Sequence, residues 1–176
     1  MTKAVLLPPL KYLQECFTLD EATSKLYWRE RPRSHFKRDA EWKRHNRKFA
    51  GTEALCTINE SGYLYGALGR KLYLTHRVIW KLVTAAEPPP VLDHRDGNKQ
   101  NPAFENLREA THVQNARHRK RGNRLSGYRG VYPSRQKWMA RMNSPHRMYL
   151  GMFDTPEEAF AARVAAEKKF YGEFAP

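Results

Sequence analysis

The segment around residues 88–98 constrains the fold of this chain more than any other. Its three consecutive prolines, at positions 88 to 90, end any helix before them, because proline lacks an amide donor and restricts the preceding residue. Val91-Leu92-Asp93-His94 then reads as a short strand, and Asp96-Gly97 supplies a turn. The chain can return as a second strand over residues 106–110, and Thr111 is a suitable N-cap for a helix. The sequence therefore predicts a strand, a loop, a strand and a helix, in that order.

The residue types in this segment suit an attack on phosphate. Asp93 and His94 place an acid beside an imidazole, and two amides follow at Asn106 and Asn115. A neutral imidazole can accept a proton from water near pH 7, since its unperturbed pKa is about 6.5. Carboxylate and amide oxygens suit a hard divalent ion such as Mg²⁺ or Mn²⁺. Neighbouring residues on an extended strand face opposite ways, so Asp93 and His94 can share one site only if the strand end bends.

These residues together resemble the HNH nucleases, in the form found in phage homing endonucleases. The resemblance covers roughly residues 76–118, and Asn106 and Asn115 follow His94 by twelve and twenty-one positions. It implies a ββα-metal fold that holds one divalent ion, Mg²⁺ or Mn²⁺. It also implies that His94 is the general base, oriented by Asn106, and that Asp93 and Asn115 are the metal ligands. The alternatives without a catalytic role are an exposed loop histidine at 94, a turn-capping amide at 106 and a solvated helix residue at 115.

The charge of the chain points to a nucleic acid partner. The 176 residues carry a net charge of +14, which favours a polyanion chiefly through the release of counterions condensed on its phosphates. No apolar run approaches the roughly 20 residues of a membrane span, so no membrane partner is expected. Cys16 and Cys56 are far apart and outside any CxxC pattern, which predicts neither a disulfide nor a cysteine zinc site. We therefore expect a DNA-binding protein of a cytoplasmic, phage- or bacterium-like setting.

Residues 1–84 predict a basic, β-rich region that contacts DNA. Strands are indicated over residues 54–58, 63–68 and 72–74, and a short helix over residues 76–83. A dense basic tract runs through residues 29–48, where arginine planes and aromatic rings can stack on bases while the charges hold the backbone. The alternative is a flexible, solvated insertion in a small sheet. The aromatic and histidine residues interleaved with the tract are Trp28, His35, Phe36, Trp42 and His45.

The last helix has the clearest signals in the chain. Thr155 is the expected N-cap, Pro156 takes the first helical position, and Glu158 completes a capping box. Gly172 supplies the C-terminal stop. Residues with helical spacing that would pack on a sheet are Ala159, Ala162, Ala166 and Phe170.

Three strands are indicated before that helix, over residues 128–132, 136–142 and 147–153, with turns at Pro133-Ser134 and Ser144-Pro145. With the helix, this region resembles the plant ethylene-response-factor type of DNA-binding domain over about residues 126–174. The resemblance implies a sheet whose outer face enters the major groove, although the first turn is one residue shorter than the plant pattern. The motifs that match are Tyr128-Arg129-Gly130-Val131-Tyr132, Lys137-Trp138, residues 147–153 and Glu157-Glu158-Ala159.

Strand alternation provides candidates for the DNA face of this sheet, and base specificity cannot be carried over because Arg141 stands where the plant pattern has an acid. The alternative is a small sheet-helix domain with a basic exposed face. Residues 117–124 form a basic linker expected to lie along DNA, and His118 lies one helical turn beyond Asn115. The DNA-binding candidates are Arg129, Trp138, Arg141, Arg147, Tyr149, Arg117 and His118.

The whole sequence predicts an α+β protein in three parts. A β-rich region at 1–84 is followed by an HNH motif at 85–121 and by a three-stranded antiparallel sheet packed on one helix at 122–176. The expected activity is metal-dependent hydrolysis of a DNA phosphodiester to a 5′-phosphate and a 3′-hydroxyl. A site-preferring, monomeric nickase of the homing type is expected, because the HNH constellation occurs once. A non-catalytic DNA-binding regulator is the alternative, and an RNA-binding protein is a third reading that neither motif supports.

Overall fold

The computed structural model describes residues 6–117, 125–142, 147–172 and 175. The chain divides into two compact units, Met1–Ala110 and Thr111–Pro176. Small antiparallel sheets combine with helices throughout, which confirms the predicted α+β class. The division into three parts stays a prediction. Within the described ranges, no helix is both long and apolar enough to cross a bilayer.

The first unit begins with α1 (Leu10–Cys16) and the hairpin of β1 (Phe17–Asp20) and β2 (Lys25–Trp28). A long excursion that carries α2 (Asp39–Phe49) then separates β2 from its antiparallel partner β3 (Glu53–Ala54). The sequence did not predict the first four of these elements, whereas β3 overlaps the start of the strand expected over residues 54–58. They give the basic tract a defined place at the end of a three-stranded sheet.

One face of α2 packs against the residues that precede it. The side chains Trp42 Nε1 and Asn46 Nδ2 both donate to the carbonyl of Arg31, each at 2.9 Å. The second half of the basic tract is therefore a helix that packs on the chain before it. Besides Glu41, its half-buried positions follow the helical spacing i, i+3, i+4 and i+7 and are Trp42, His45, Asn46 and Phe49.

A second sheet consists of β4 (Thr57–Ile58), β5 (Leu64–Leu68) and β6 (Lys71–Leu74), and α3 (Thr75–Thr84) follows directly. The strand predicted over residues 54–58 is broken, because Leu55 has a φ of +52°. This unit has a common hydrophobic core. Its fully buried side chains include Leu13, Cys16, Leu26, Val78 and Ile79.

The central hairpin pairs β7 (Leu92–His94) with β8 (Leu107–Glu109), and Asp93 lies opposite Arg108. The helix α4 (His112–Arg117) follows, as the sequence predicts. The predicted N-cap is present, because the Gln114 amide donates to Thr111 Oγ1 at 3.2 Å. The Thr111 amide donates in return to Gln114 Oε1 at 2.7 Å.

The second unit contains β9 (Val131–Ser134), β10 (Lys137–Met142), β11 (Met148–Phe153) and α5 (Pro156–Tyr171). β10 lies in the middle of the sheet. The predicted turn at 133–134 is wrong, because Pro133 belongs to β9 and lies opposite Trp138. The other predicted turn, at 144–145, lies outside the described residues. The capping box at Thr155 and Glu158 is confirmed.

The buried stripe of α5 is largely polar. Arg163 donates to the carbonyl of Arg141 and to Glu167, and Arg129 Nη2 donates to Glu167 Oε1 at 2.6 Å. Phe170, which helical spacing predicted to pack on the sheet, is instead 48% exposed. Gly130 makes room for this network, because a Cβ there would lie 1.9 Å from Arg163 Nη1.

We expect Gly130→Ala to destabilise the second unit more than Gly127→Ala does. Both glycines have nearly the same φ, +72° and +73°, so both variants share a backbone cost of about 1–2 kcal/mol. An added Cβ meets nothing within 4 Å at Gly127 but clashes with Arg163 and the Arg141 carbonyl at Gly130. Overpacking of this kind typically costs about 1–3 kcal/mol more. Hydrogen exchange of the β10 amides measures the difference, and equal losses of protection would contradict it.

Candidate active site

His94 ends β7 and is almost completely buried, with 3% of its surface exposed. Its ring lies nearly perpendicular to that of His76, with 5.0 Å between the centroids, and 5.9 Å from the ring of Tyr63. These two neighbours come from the start of α3 and from the residue before β5. Within the described part of the chain, Nε2 of His94 is buried without a hydrogen-bond partner. A buried nitrogen without a partner is costly and calls for an explanation, such as a role in catalysis.

Burial keeps both histidines of this cluster neutral. It lowers the pKa of His94 below the usual value, against the opposing effect of the Asp96 and Asp93 carboxylates. It lowers the pKa of His76 to about 3, with smaller contributions from His94 and Arg77. A neutral imidazole is the state in which a histidine can accept a proton.

Asp93 lies beside His94 in the chain but contacts a different partner. Its Oδ2 accepts hydrogen bonds from Arg108 Nε at 2.8 Å and from Arg108 Nη2 at 2.7 Å. Only 4% and 5% of the two side chains are exposed, so this is a buried ion pair. Asp93 is therefore paired across the hairpin with Arg108, whereas His94 packs against His76. The sequence offered no signal for Arg108.

The amide of Asn106 organises the loop that follows His94. Its Nδ2 donates to Asp96 Oδ1 at 3.0 Å and to the Asn101 carbonyl at 2.9 Å, and its Oδ1 accepts from the Asp96 amide at 3.0 Å. Asn106 makes no hydrogen bond to His94 among the interactions of the described residues. Next to His94, the Arg95 amide donates to the Asn106 carbonyl at 2.8 Å.

Asp96 is the centre of this loop, and sequence reasoning assigned it only to a turn. Asn101 Nδ2 donates to its Oδ2 at 2.8 Å, and the Asn98 amide donates to its Oδ1 at 2.7 Å. Burial alone would raise the pKa of Asp96, but hydrogen bonds from Asn101, Asn98 and Asn106 hold it below the usual value. The charged carboxylate thus ties the loop together beside His94.

The remaining residues of the predicted central site lie on or after α4. Asn115 is half-buried on that helix, and Arg117 ends it. His118 lies outside the described residues. Among the residues that are described, no group of three or more His, Cys, Asp or Glu side chains could hold a metal ion. The predicted donor set is of another kind, with one carboxylate and one amide oxygen.

The outer face of the C-terminal sheet differs from the predicted one at two positions. Arg141 and Tyr149 are cross-strand partners there, and the Arg141 guanidinium lies 4.6 Å from the centroid of the Tyr132 ring. Tyr149 is 63% exposed, and Arg147 is exposed just before β11. Trp138 instead packs on the cluster formed by Val131, Ala140 and Ala159, because residues three apart on a strand cannot share a face. Arg129 is ion-paired with Glu167 of α5.

Comparison with known proteins bears on the central region. The profile of the HNH endonuclease family matches residues 73–117, which extend from β6 to the end of α4. No curated protein and no solved structure matches the chain. The central region is therefore similar to an HNH nuclease, and the match includes Asp93, His94, Asn106 and Asn115.

We expect Arg108→Met to destabilise the first unit by about 3–5 kcal/mol, because it leaves the buried Asp93 carboxylate without its cation. The double variant Asp93→Leu with Arg108→Met removes both charges and should lose much less stability. Urea unfolding followed by Trp fluorescence measures both free energies. A double variant that is at least as unstable as Arg108→Met would contradict this account of the pair.

The low pKa of His76 makes the first unit less stable in acid. The unfolded chain protonates this histidine near pH 6.5, whereas the folded chain does so only near pH 3. Between these values the unfolded state binds more protons, so the free energy of unfolding falls as the pH falls. This group alone contributes at most about 1.4 kcal/mol per pH unit. Unfolding from pH 6.5 down to about 4 should therefore show a shallower pH dependence for His76→Gln than for the parent. Parallel curves would contradict a buried, neutral His76.

Proposed function

We propose that the protein is a divalent-metal-dependent DNA endonuclease whose active site is built on the β7–β8 hairpin. The observation that carries the proposal is the buried, unpartnered Nε2 of a neutral His94 within the region similar to HNH endonucleases. In this proposal His94 is the general base. Its Nε2 accepts a proton from the water that attacks the scissile phosphorus, and the products carry a 5′-phosphate and a 3′-hydroxyl.

The residues around His94 serve to position it. Contacts with His76 and Tyr63 limit the orientations of the ring, and the depressed pKa keeps it unprotonated at neutral pH. Asn106 and Asp96 hold the loop that leaves the strand at His94. A general base acts best when it is fixed near the proton that it removes.

Asp93 and Asn115 are the proposed ligands of one Mg²⁺ or Mn²⁺ ion. The chemistry of the donors fits such an ion, because both offer hard oxygen atoms. When bound, the ion would supply positive charge that stabilises the phosphate and the departing oxygen in the transition state. Arg108 orients the Asp93 carboxylate through two hydrogen bonds to Oδ2.

DNA recognition is assigned to the C-terminal sheet. Arg141, Arg147 and Tyr149 are the proposed contacts, because they lie on the outer face or at its edge. Arg129 and Trp138 also remain proposed contacts, although Arg129 is ion-paired with Glu167 and Trp138 packs on the cluster of Val131, Ala140 and Ala159. Arg117 and His118 remain proposed contacts along the DNA. A monomer with one HNH constellation would cut one strand, which makes a site-preferring nickase of the homing type the proposed activity.

We expect His94→Ala to reduce cleavage of supercoiled plasmid by about a hundredfold to ten-thousandfold, because one positioned proton acceptor is lost. The parent should convert the plasmid to open circles with Mg²⁺ or Mn²⁺ and leave it intact in chelator. DNA binding measured in chelator should be unchanged in the variant. Cleavage at the parental rate would refute the role of His94. A parent that binds DNA but never cleaves would favour a non-catalytic DNA-binding regulator.

A further inference from the structure

The excursion between β2 and β3 carries nine basic and three acidic residues, and seven of its cations fall into two groups, with and without an acidic partner. The first group has partners. Arg33 forms an ion pair with Asp39, and Arg38 Nε donates to Glu41 Oε1 at 2.8 Å. These pairs use two of the three acids, at the beginning of α2.

The buried cation Arg31 links the excursion to α1. Arg31 is 5% exposed, and its Nη2 donates to the Tyr12 hydroxyl at 2.6 Å while its Nε donates to His35 Nδ1 at 3.3 Å. Its guanidinium also lies 4.7 Å from the centroid of the Phe36 ring. Arg31 is therefore part of the internal structure and is not available to a ligand.

The second group has no acidic partner. Among the described residues, five other cations of the excursion form no ion pair, and all five are exposed. Repulsion between neighbouring positive charges is unfavourable unless an anion approaches them. These unpaired cations are Lys37, Lys43, Arg44, Arg47 and Lys48.

Three of these cations line one groove together with a fourth cation from another part of the chain. Lys37, Arg44 and Lys48 line it from one side, and Arg70 joins them from the turn between β5 and β6. The groove has a volume of about 930 Å³. Its single acidic side chain, Glu41, is already paired with Arg38. Segments distant in sequence thus bring positive charge to a common concave surface.

The floor of the groove is aromatic, neutral and already packed. The His45 ring lies 5.1 Å from that of Phe36 and 4.9 Å from that of Phe49. Burial and the nearby Arg31 charge lower the pKa of His45, which keeps this ring uncharged at neutral pH. Because these rings already pack on one another, we do not expect a base to stack between them. We expect them to support the cations that line the groove.

We propose that this groove binds the sugar-phosphate backbone of duplex DNA, as a contact surface that shares no residue with the β7–β8 hairpin. The partner follows from charge complementarity, because four cations that line a concave surface match a row of phosphates. Such contacts carry no sequence information but set affinity and register. The inference rests on the proposed nuclease function and adds to it a DNA contact in the first unit.

The test compares two double variants of the full chain that remove equal charge from the same excursion. Arg44→Gln with Lys48→Gln alters the groove, whereas Arg33→Gln with Arg38→Gln removes cations that are already ion-paired. Binding to a labelled duplex is measured by fluorescence anisotropy in chelator at several salt concentrations. The slope of log K against log salt should become shallower by about 2 for the groove variant and change little for the paired-cation variant. Arg70→Gln alone should reduce it by about 1, through a residue outside α2.

Equal slope changes in the two double variants would overturn the proposal that the groove binds DNA, because net charge alone would then explain binding. A groove variant that loses affinity for single-stranded RNA but not for duplex DNA would overturn the choice of partner. Circular dichroism shows whether α2 remains folded in each double variant. If α2 unfolds, Arg70→Gln still tests the groove, because Arg70 lies outside that helix. If the parent binds with the predicted slopes but never cleaves, the nuclease proposal fails while the groove stands.

Discussion

The buried ion pair between Asp93 and Arg108 is the interaction on which the central hairpin depends. The two residues lie directly opposite each other on β7 and β8, and each would be costly to bury alone. A slip of one residue would turn every side chain of the strand to the other face and separate the two charges. The pair thereby selects the register in which His94 reaches the cluster of His76 and Tyr63. One electrostatic contact thus defines where the candidate base stands.

Local signals predicted the elements that local chemistry determines. The caps at Thr111 and Thr155 and the order of elements from β7 to α4 followed from spacing and residue type. The helix α2 was missed because its packed face consists of Trp42, His45, Asn46 and Phe49. Such a face shows little apolar periodicity inside a run of lysines and arginines. Tertiary context also decided the buried stripe of α5, where charged groups pair across the domain in place of apolar ones.

The candidate site shows the same division between what sequence can and cannot predict. The motif spacing identified Asp93, His94 and Asn106, but no pattern linked Asp93 to Arg108 or Asp96 to Asn101. These contacts depend on register and loop geometry, which form only in the folded chain. The motif Tyr128-Arg129-Gly130 shows a second limit, because Arg129, a candidate for the DNA face by strand alternation, is ion-paired with Glu167, and Gly130 makes room for Arg163. A matched motif can therefore carry structural residues among its functional ones.

The excursion that contains α2 leaves and rejoins the sheet at almost the same point. The Gly51 amide donates to the Trp28 carbonyl at 2.8 Å, and the Trp28 amide donates to the Thr52 carbonyl at 2.9 Å. The two ends are thus clamped by the backbone, whatever lies between them. For a loop closed in this way, doubling its length costs only about 0.6 kcal/mol of entropy. A longer or shorter segment between these clamped ends therefore costs little entropy, so its length constrains the strands far less than the buried contacts of Arg31 with Tyr12 and His35 do.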